Sequence, residues 1–187
     1  MDNVFHKPVV LAFAGPNGSG KSTATRGISL FGTYVNADDL KKEYGLSDMD
    51  AAKQAEQFRN SLLDSGADFS FETVLSTDRN LLLLKRAKAC GYEVQCIYVL
   101  TSDENINVAR VKARYASGGH NVPEDKIRTR YHRALALIPQ LIDVCDKILI
   151  YDNTVMPSLI FKKEGIRTEV FPNNFWSEDT LRKLLRL

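Results

Sequence analysis

The segment Gly15-Pro16-Asn17-Gly18-Ser19-Gly20-Lys21-Ser22-Thr23 constrains this chain more than any other. Gly15, Gly20, Lys21 and Ser22 fill every fixed position of the pattern G-x-x-x-x-G-K-[ST], and Gly18 adds a further site where no Cβ obstructs the backbone. The apolar run Val9 to Ala14 suits a buried parallel strand, and a helix can start over Ser22 to Ile28. In that context the backbone N–H groups from about Asn17 to Ser22 face one concavity, where unpaired donors and the helix dipole favour phosphate oxygens. Lys21 is expected at the β and γ phosphates of a nucleoside triphosphate. The Ser22 hydroxyl is expected on Mg²⁺, an ion that prefers oxygen ligands and bridges such phosphates.

The 187 residues predict one domain over 1–187, burying roughly 70% of its unfolded surface without disulfide or structural metal. The formal net charge of +2 gives no electrostatic reason to expect a nucleic-acid or membrane platform. Cys90, Cys96 and Cys145 lack a C-x-x-C spacing and read as buried thiols. The N-terminal stretch has no signal-peptide pattern, and no apolar run approaches the roughly 18 residues of a membrane span, so the expected localisation is cytoplasmic.

Thr33 to Val35 reads as a second strand whose tip, Asn36-Ala37-Asp38-Asp39, opens a helix. Ligands of open α/β sheets sit beyond the carboxyl ends of the strands, which puts Asp38 and Asp39 on the P-loop side. Carboxylates are also common in a first helical turn, because they complement the dipole. Ser47 opens a helix to about Leu63, and Asp68 to Leu75 alternates as a strand. Glu72 and Thr73 close that strand, where a carboxylate needs a partner or a solvated site.

Asp78 to Cys90 reads as a helix and Tyr92 to Leu100 as a strand, with a capping box at Thr101 to Glu104. Two basic helices follow, joined by Gly118-Gly119-His120 and restarted at Pro123. They carry Arg110, Arg114, Arg128, Arg130 and Arg133, with His120 in the joint, and suggest a lid over about 103–135. Guanidinium groups beside transferring phosphates stabilise the charge that develops there. Lys147 to Asn153 reads as the last parallel strand, with Asp152 placed like a Walker-B acid by pattern alone. A peripheral hairpin and a closing helix capped by Ser177 complete residues 156–187, and Trp176 has no assignable role. The expected architecture is α/β: a three-layer P-loop fold with a mainly parallel sheet of about five strands.

Taken together, the P-loop, the Asn36-Ala37-Asp38 tip, Phe71-Glu72-Thr73-Val74-Leu75-Ser76, the stretch Val108 to Tyr131 and Tyr151-Asp152-Asn153 resemble the zeta-toxin family of P-loop kinases. The resemblance spans about residues 8–155 and is nearest to its compact bacterial branch. It implies ATP- and Mg²⁺-dependent phosphorylation of a hydroxyl on a small acceptor, a UDP-N-acetyl sugar such as UDP-N-acetylglucosamine, and an antitoxin protein as partner. By motif position it implies Asp38 as the catalytic carboxylate, with Lys21, Arg114 and Arg130 at the transferring phosphate. ATP falls to Gly15 through Thr23, and Glu72 and Thr73 join Asp38 at the acceptor. Lys41 stands where many relatives have an arginine, and it lacks the bidentate fork. Rival readings are a polynucleotide 5'-kinase, suggested by Asn36-Ala37-Asp38-Asp39, an antibiotic or metabolite phosphotransferase, and an ATPase switch acting on a protein partner.

Overall fold

A computed structural model describes residues 6–119 and 121–187. The order is β1 (Val9–Ala14), α1 (Lys21–Ala24), β2 (Thr33–Val35), α2 (Ala37–Tyr44), α3 (Asp48–Asp64), β3 (Phe69–Thr73), α4 (Asp78–Ala89) and β4 (Glu93–Leu100). Then come α5 (Glu104–Ala116), α6 (Glu124–Ala136), α7 (Ile138–Val144), β5 (Lys147–Asp152), β6 (Ser158–Glu164), β7 (Arg167–Val170) and α8 (Glu178–Leu185). One seven-stranded sheet runs β2-β3-β1-β4-β5-β6-β7, parallel from β2 to β5 and antiparallel beyond. The hairpin expected at the periphery thus lengthens the main sheet.

Every residue of β1 is buried, as the sheet centre requires when both faces are covered. The period-two alternation of the strands sorts their side chains into two unequal cores. Val10, Ala12, Phe69, Phe71, Tyr98 and Ile150 face the larger one, covered by Ala55 and Leu63 of α3, Leu81 and Leu84 of α4, Leu141 of α7 and Leu181 of α8. Trp176 also packs there. Leu11, Phe13, Ile97 and Val99 face the smaller one, against Ile28, Phe31 and Tyr34. A third cluster of Val108, Val111 and Ile127, with Val122 against it, gives the α5–α6 pair a small core of its own.

Some expectations are corrected. The helix after the P-loop is only Lys21–Ala24, because Gly27 takes φ +85° and turns the chain out of helical geometry before Ile28. Asp103, not Thr101, caps α5 by accepting from Asn105 N. Pro123 is the N-cap of α6 rather than its first helical residue. Cys90, read as a buried thiol, is exposed, and so are the large apolar side chains of Phe58 on α3 and Leu82 on α4. No helix among the described residues is long and apolar enough to cross a membrane.

Candidate active site

The end of β1 fixes the site. Gly15 takes φ +142° with its N–H donated to Thr73 O at 3.2 Å, and a Cβ there would stand 2.0 Å from Val99 O. Gly18 and Gly20 are equally confined: their added Cβ atoms would lie 2.4 Å from Asn107 O and 2.2 Å from Asn153 Nδ2. The loop is therefore clamped between neighbouring elements. Two buried asparagines do the clamping, Asn107 Nδ2 donating to Asn17 O at 2.6 Å and Asn153 Nδ2 to Ser19 O at 2.8 Å. Asn107 is held in turn by the Thr101 hydroxyl. Sequence reasoning passed over Asn107, although the signal was present: it lies one helical turn before Val111 and beside Val108, a polar residue in an apolar stripe.

A Gly20→Ala substitution is expected to push Asn153 off Ser19 as well as strain φ +85°. Loss of nucleotide affinity by tenfold or more, a cost of about 1.4 kcal/mol, with a lowered Tm is the expected outcome. Fluorescent-nucleotide titration and thermal unfolding check it. Unchanged binding would mean that the loop relaxes freely.

Lys21 is buried, with Nζ donating to Gly15 O at 2.9 Å and Pro16 O at 3.3 Å and lying 3.8 Å from Glu72 Oε1. Burial pushes its pKa down; the Glu72 carboxylate pulls it back up, Arg114 lowers it and Asp38 raises it. Glu72 of β3 and the arginines of α5 thus share one cavity with this ammonium, and Asp38 at the start of α2 acts on it electrostatically. A cavity of about 210 Å³ opens here, walled by Gly18, Gly20, Lys21, Ser22 and Thr23 of the loop, Glu72, Arg110 and Arg114. Tyr34 OH donates to Glu72 Oε2 at 3.4 Å and accepts from Asn36 Nδ2 at 3.3 Å, while Asn36 Oδ1 caps α2 by accepting from Asp38 N at 2.9 Å. Burial, with Glu72 second, raises the Tyr34 pKa to about 12, which keeps the phenol a donor. Asp38 and Asp39 are exposed at the tip.

The other expected residues separate by what they touch. Arg110 donates to Asn153 O at 2.8 Å and Thr154 O at 3.1 Å, and so joins α5 to the end of β5 while lining the cavity. Arg130 reaches Asn17 Oδ1 at 3.4 Å. Arg128 instead bonds Glu124 and Glu104 within the α5–α6 pair, and Arg133 is exposed on α6. His120 lies outside the described residues. Lys41 pairs with Asp48 at 2.6 Å across the α2–α3 turn, and Thr73 points to the opposite sheet face from Glu72, its hydroxyl accepting from Asn80 Nδ2 at 2.7 Å and Leu75 N at 2.9 Å. Neither lines the cavity. Asp152 is buried and bonded to Thr154 and Asn173, so it pins the C-terminal segment and the Walker-B pattern does not hold.

Fold and site together define an α/β P-loop protein whose α5–α6 pair packs beside the phosphate loop. The chain belongs to the family described as AAA domain, putative AbiEii toxin, Type IV TA system, whose pattern matches residues 10–106. It is 31% identical to an uncharacterised protein of Haemophilus influenzae over 125 residues, 64% of this chain and 89% of that one. Among solved structures, it is similar to one described in the molecular and structural characterisation of the PezAT chromosomal toxin–antitoxin system of Streptococcus pneumoniae. The TM-score is 0.62 at 21% identity, covering 97% of this chain and 79% of that one. It is also similar to the AvrRxo1-ORF1:-ORF2 complex with ATP, TM-score 0.72 at 16% identity, covering 96% of this chain and 64% of the other. The fold is thus the zeta-toxin-like P-loop fold that the motifs led one to expect.

Proposed function

We propose that this chain is an ATP-dependent kinase that transfers the γ-phosphate to a hydroxyl of a small acceptor, a UDP-N-acetyl sugar being the first candidate. The reading is carried by the convergence of Lys21, Glu72, Arg110 and Arg114 on one cavity beside Asp38. A similar fold, that of the AvrRxo1 complex, is described with ATP, and the PezAT protein as part of a toxin–antitoxin system. An antitoxin covering the nucleotide cleft is the corresponding partner.

The P-loop amides and Lys21 hold the phosphates, while Arg114 and Arg130 approach from the lid and spread the charge of the transferring group. Asp38 orients the acceptor hydroxyl and takes its proton. Glu72, held by Tyr34, positions the acceptor from the strand end. No group of three or more acidic, histidine or cysteine side chains is gathered among the described residues. The exposed Ser22 at the loop therefore fits a Mg²⁺ shared with phosphates and water rather than one caged by protein. When bound, that ion neutralises charge across the β and γ phosphates.

The test is incubation with ATP and Mg²⁺ against UDP-sugars, nucleosides, aminoglycosides, phenicols and 5'-hydroxyl oligonucleotides, with products read by mass spectrometry. Gain of one phosphate on a UDP-sugar, absent without Lys21, is expected. Labelling of oligonucleotide ends alone would replace the acceptor, and hydrolysis with no acceptor labelled even in a cell-metabolite extract would favour a switch. Within the lid, Arg130→Ala is expected to slow transfer about tenfold or more with little change in Tm. Arg128→Ala is expected to lower Tm and leave the chemical step intact, as its bonds to Glu104 and Glu124 imply. Single-turnover kinetics beside thermal unfolding separate the two, and a reversal of the pattern would exchange their roles.

A further inference from the structure

A second cavity, of about 240 Å³, lies between α3 and α4. Arg59, Arg79 and Arg86 line it, with Glu56 as the one acidic side chain among its walls. Arg79 bonds Glu56 at 3.3 Å, and Arg86 bonds Asn60 and Asp64. Arg59 differs. It is 6% exposed, stacks its guanidinium 5.2 Å from the centre of the Phe71 ring, and donates to one neutral acceptor, Asn80 Oδ1, at 3.3 Å. Its Nε is buried without a hydrogen-bond partner. No carboxylate pairs with it among the described residues.

A buried charge without an anionic partner is costly, and it persists where something else compensates. Burial depresses the Arg59 pKa, with Glu56 opposing and Arg79 reinforcing. The guanidinium fork matches oxygen pairs of phosphates, and three arginines on facing helices offer that geometry from several sides. The ring contact and the long Asn80 bond leave the group short of strong acceptors. From the orphaned Arg59 and the arginine-lined cavity around it, we infer that this α3–α4 pocket is a binding site for a phosphate-bearing small molecule, distinct from the P-loop. Asn80 ties it to the end of β3, since the same side chain bonds Arg59 and, through Nδ2, the Thr73 hydroxyl on the sheet face opposite Glu72. The phosphate has two sources, the acceptor itself or a separate effector. The pocket stands whichever reaction the P-loop performs.

The experiment is calorimetric titration of inorganic pyrophosphate into wild-type protein whose P-loop is saturated with Mg²⁺ and a non-hydrolysable ATP analogue, and into Arg59→Gln and Arg79→Gln on the same background. Arg79 is largely exposed, so its variant reports even where Arg59→Gln fails to fold. Saturable binding is expected, weakened about tenfold by Arg79→Gln and lost in folded Arg59→Gln. Displacement of the pyrophosphate by UDP-N-acetylglucosamine identifies the pocket with the phosphates of an acceptor, and binding that this sugar nucleotide does not displace identifies a separate effector. No binding to the wild type, or binding insensitive to Arg79→Gln, overturns the inference.

Discussion

Lys21→Met is expected to reduce phosphoryl transfer by about 10³-fold or more while leaving the fold as stable as before, or more so. The first half follows from position. Lys21 is the one ammonium in the cavity walled by the P-loop, Glu72 and the α5 arginines, and methionine keeps its length without its charge. The second half follows from burial. A lysine whose folded pKa lies below its ordinary value of 10.5 makes the charged form costly in the folded state. Its removal therefore relieves a penalty at neutral pH. As pH falls from 10.5 to the depressed folded pKa, the wild type loses stability that it holds above 10.5, where lysine is neutral in both states. The Tm advantage of Lys21→Met is thus fully present below the depressed folded pKa and closes as pH rises from there towards 10.5. Glu72 is not stranded by the change, because Tyr34 donates to it and it is about a quarter exposed. Thermal unfolding between pH 7 and 10 and a transfer assay read both halves; retention of transfer within about tenfold would remove Lys21 from the chemistry.

What was legible beforehand follows from how local each determinant is. The P-loop is a contiguous chemical pattern, and β1, β3 and β4 are apolar or alternating runs bounded by breakers, so their places could be read directly. The caps at Asn36, Ser47 and Ser177 were legible for the same reason, a side chain serving a backbone N–H close by in sequence. The failures are non-local. Whether Lys41 reaches a ligand or Asp48, and whether Arg128 faces phosphate or Glu124, depends on how helices pack. The family resemblance places Thr73 and Glu72 together at the acceptor, yet strand alternation sends adjacent side chains to opposite faces. That rule was available from the sequence and argues for Glu72 alone at the cleft. Asp152 matched a motif, but its carboxylate is consumed by Thr154 and by Asn173, twenty-one residues away in sequence. The orphaned Arg59 had no signal at all, because a charged residue on an amphipathic helix is usually solvated and only the tertiary fold buries it.

Asp38→Ala is expected to lower turnover by about 10²- to 10⁴-fold and leave ATP affinity within about threefold of the wild type. The competing explanation is that Asp38 is simply an acid in the first turn of α2, favoured by the helix dipole at about 0.3–1 kcal/mol. Asp39 provides the control, since it shares that turn, that charge and that exposure. If the dipole were the whole account, both substitutions would cost similar stability and neither would touch turnover. Asp38 differs because its backbone N–H is pinned by Asn36, whose amide meets Tyr34, whose hydroxyl meets Glu72, so the tip is registered to the cavity through side-chain bonds. Its field also reaches Lys21. A base fixed in that way orients an acceptor hydroxyl without contacting the nucleotide, which is why kcat falls and ATP binding does not. Steady-state transfer and nucleotide titration on both variants decide the matter: equal, small effects at Asp38 and Asp39 would return Asp38 to a capping role, and the base would have to be sought in Glu72.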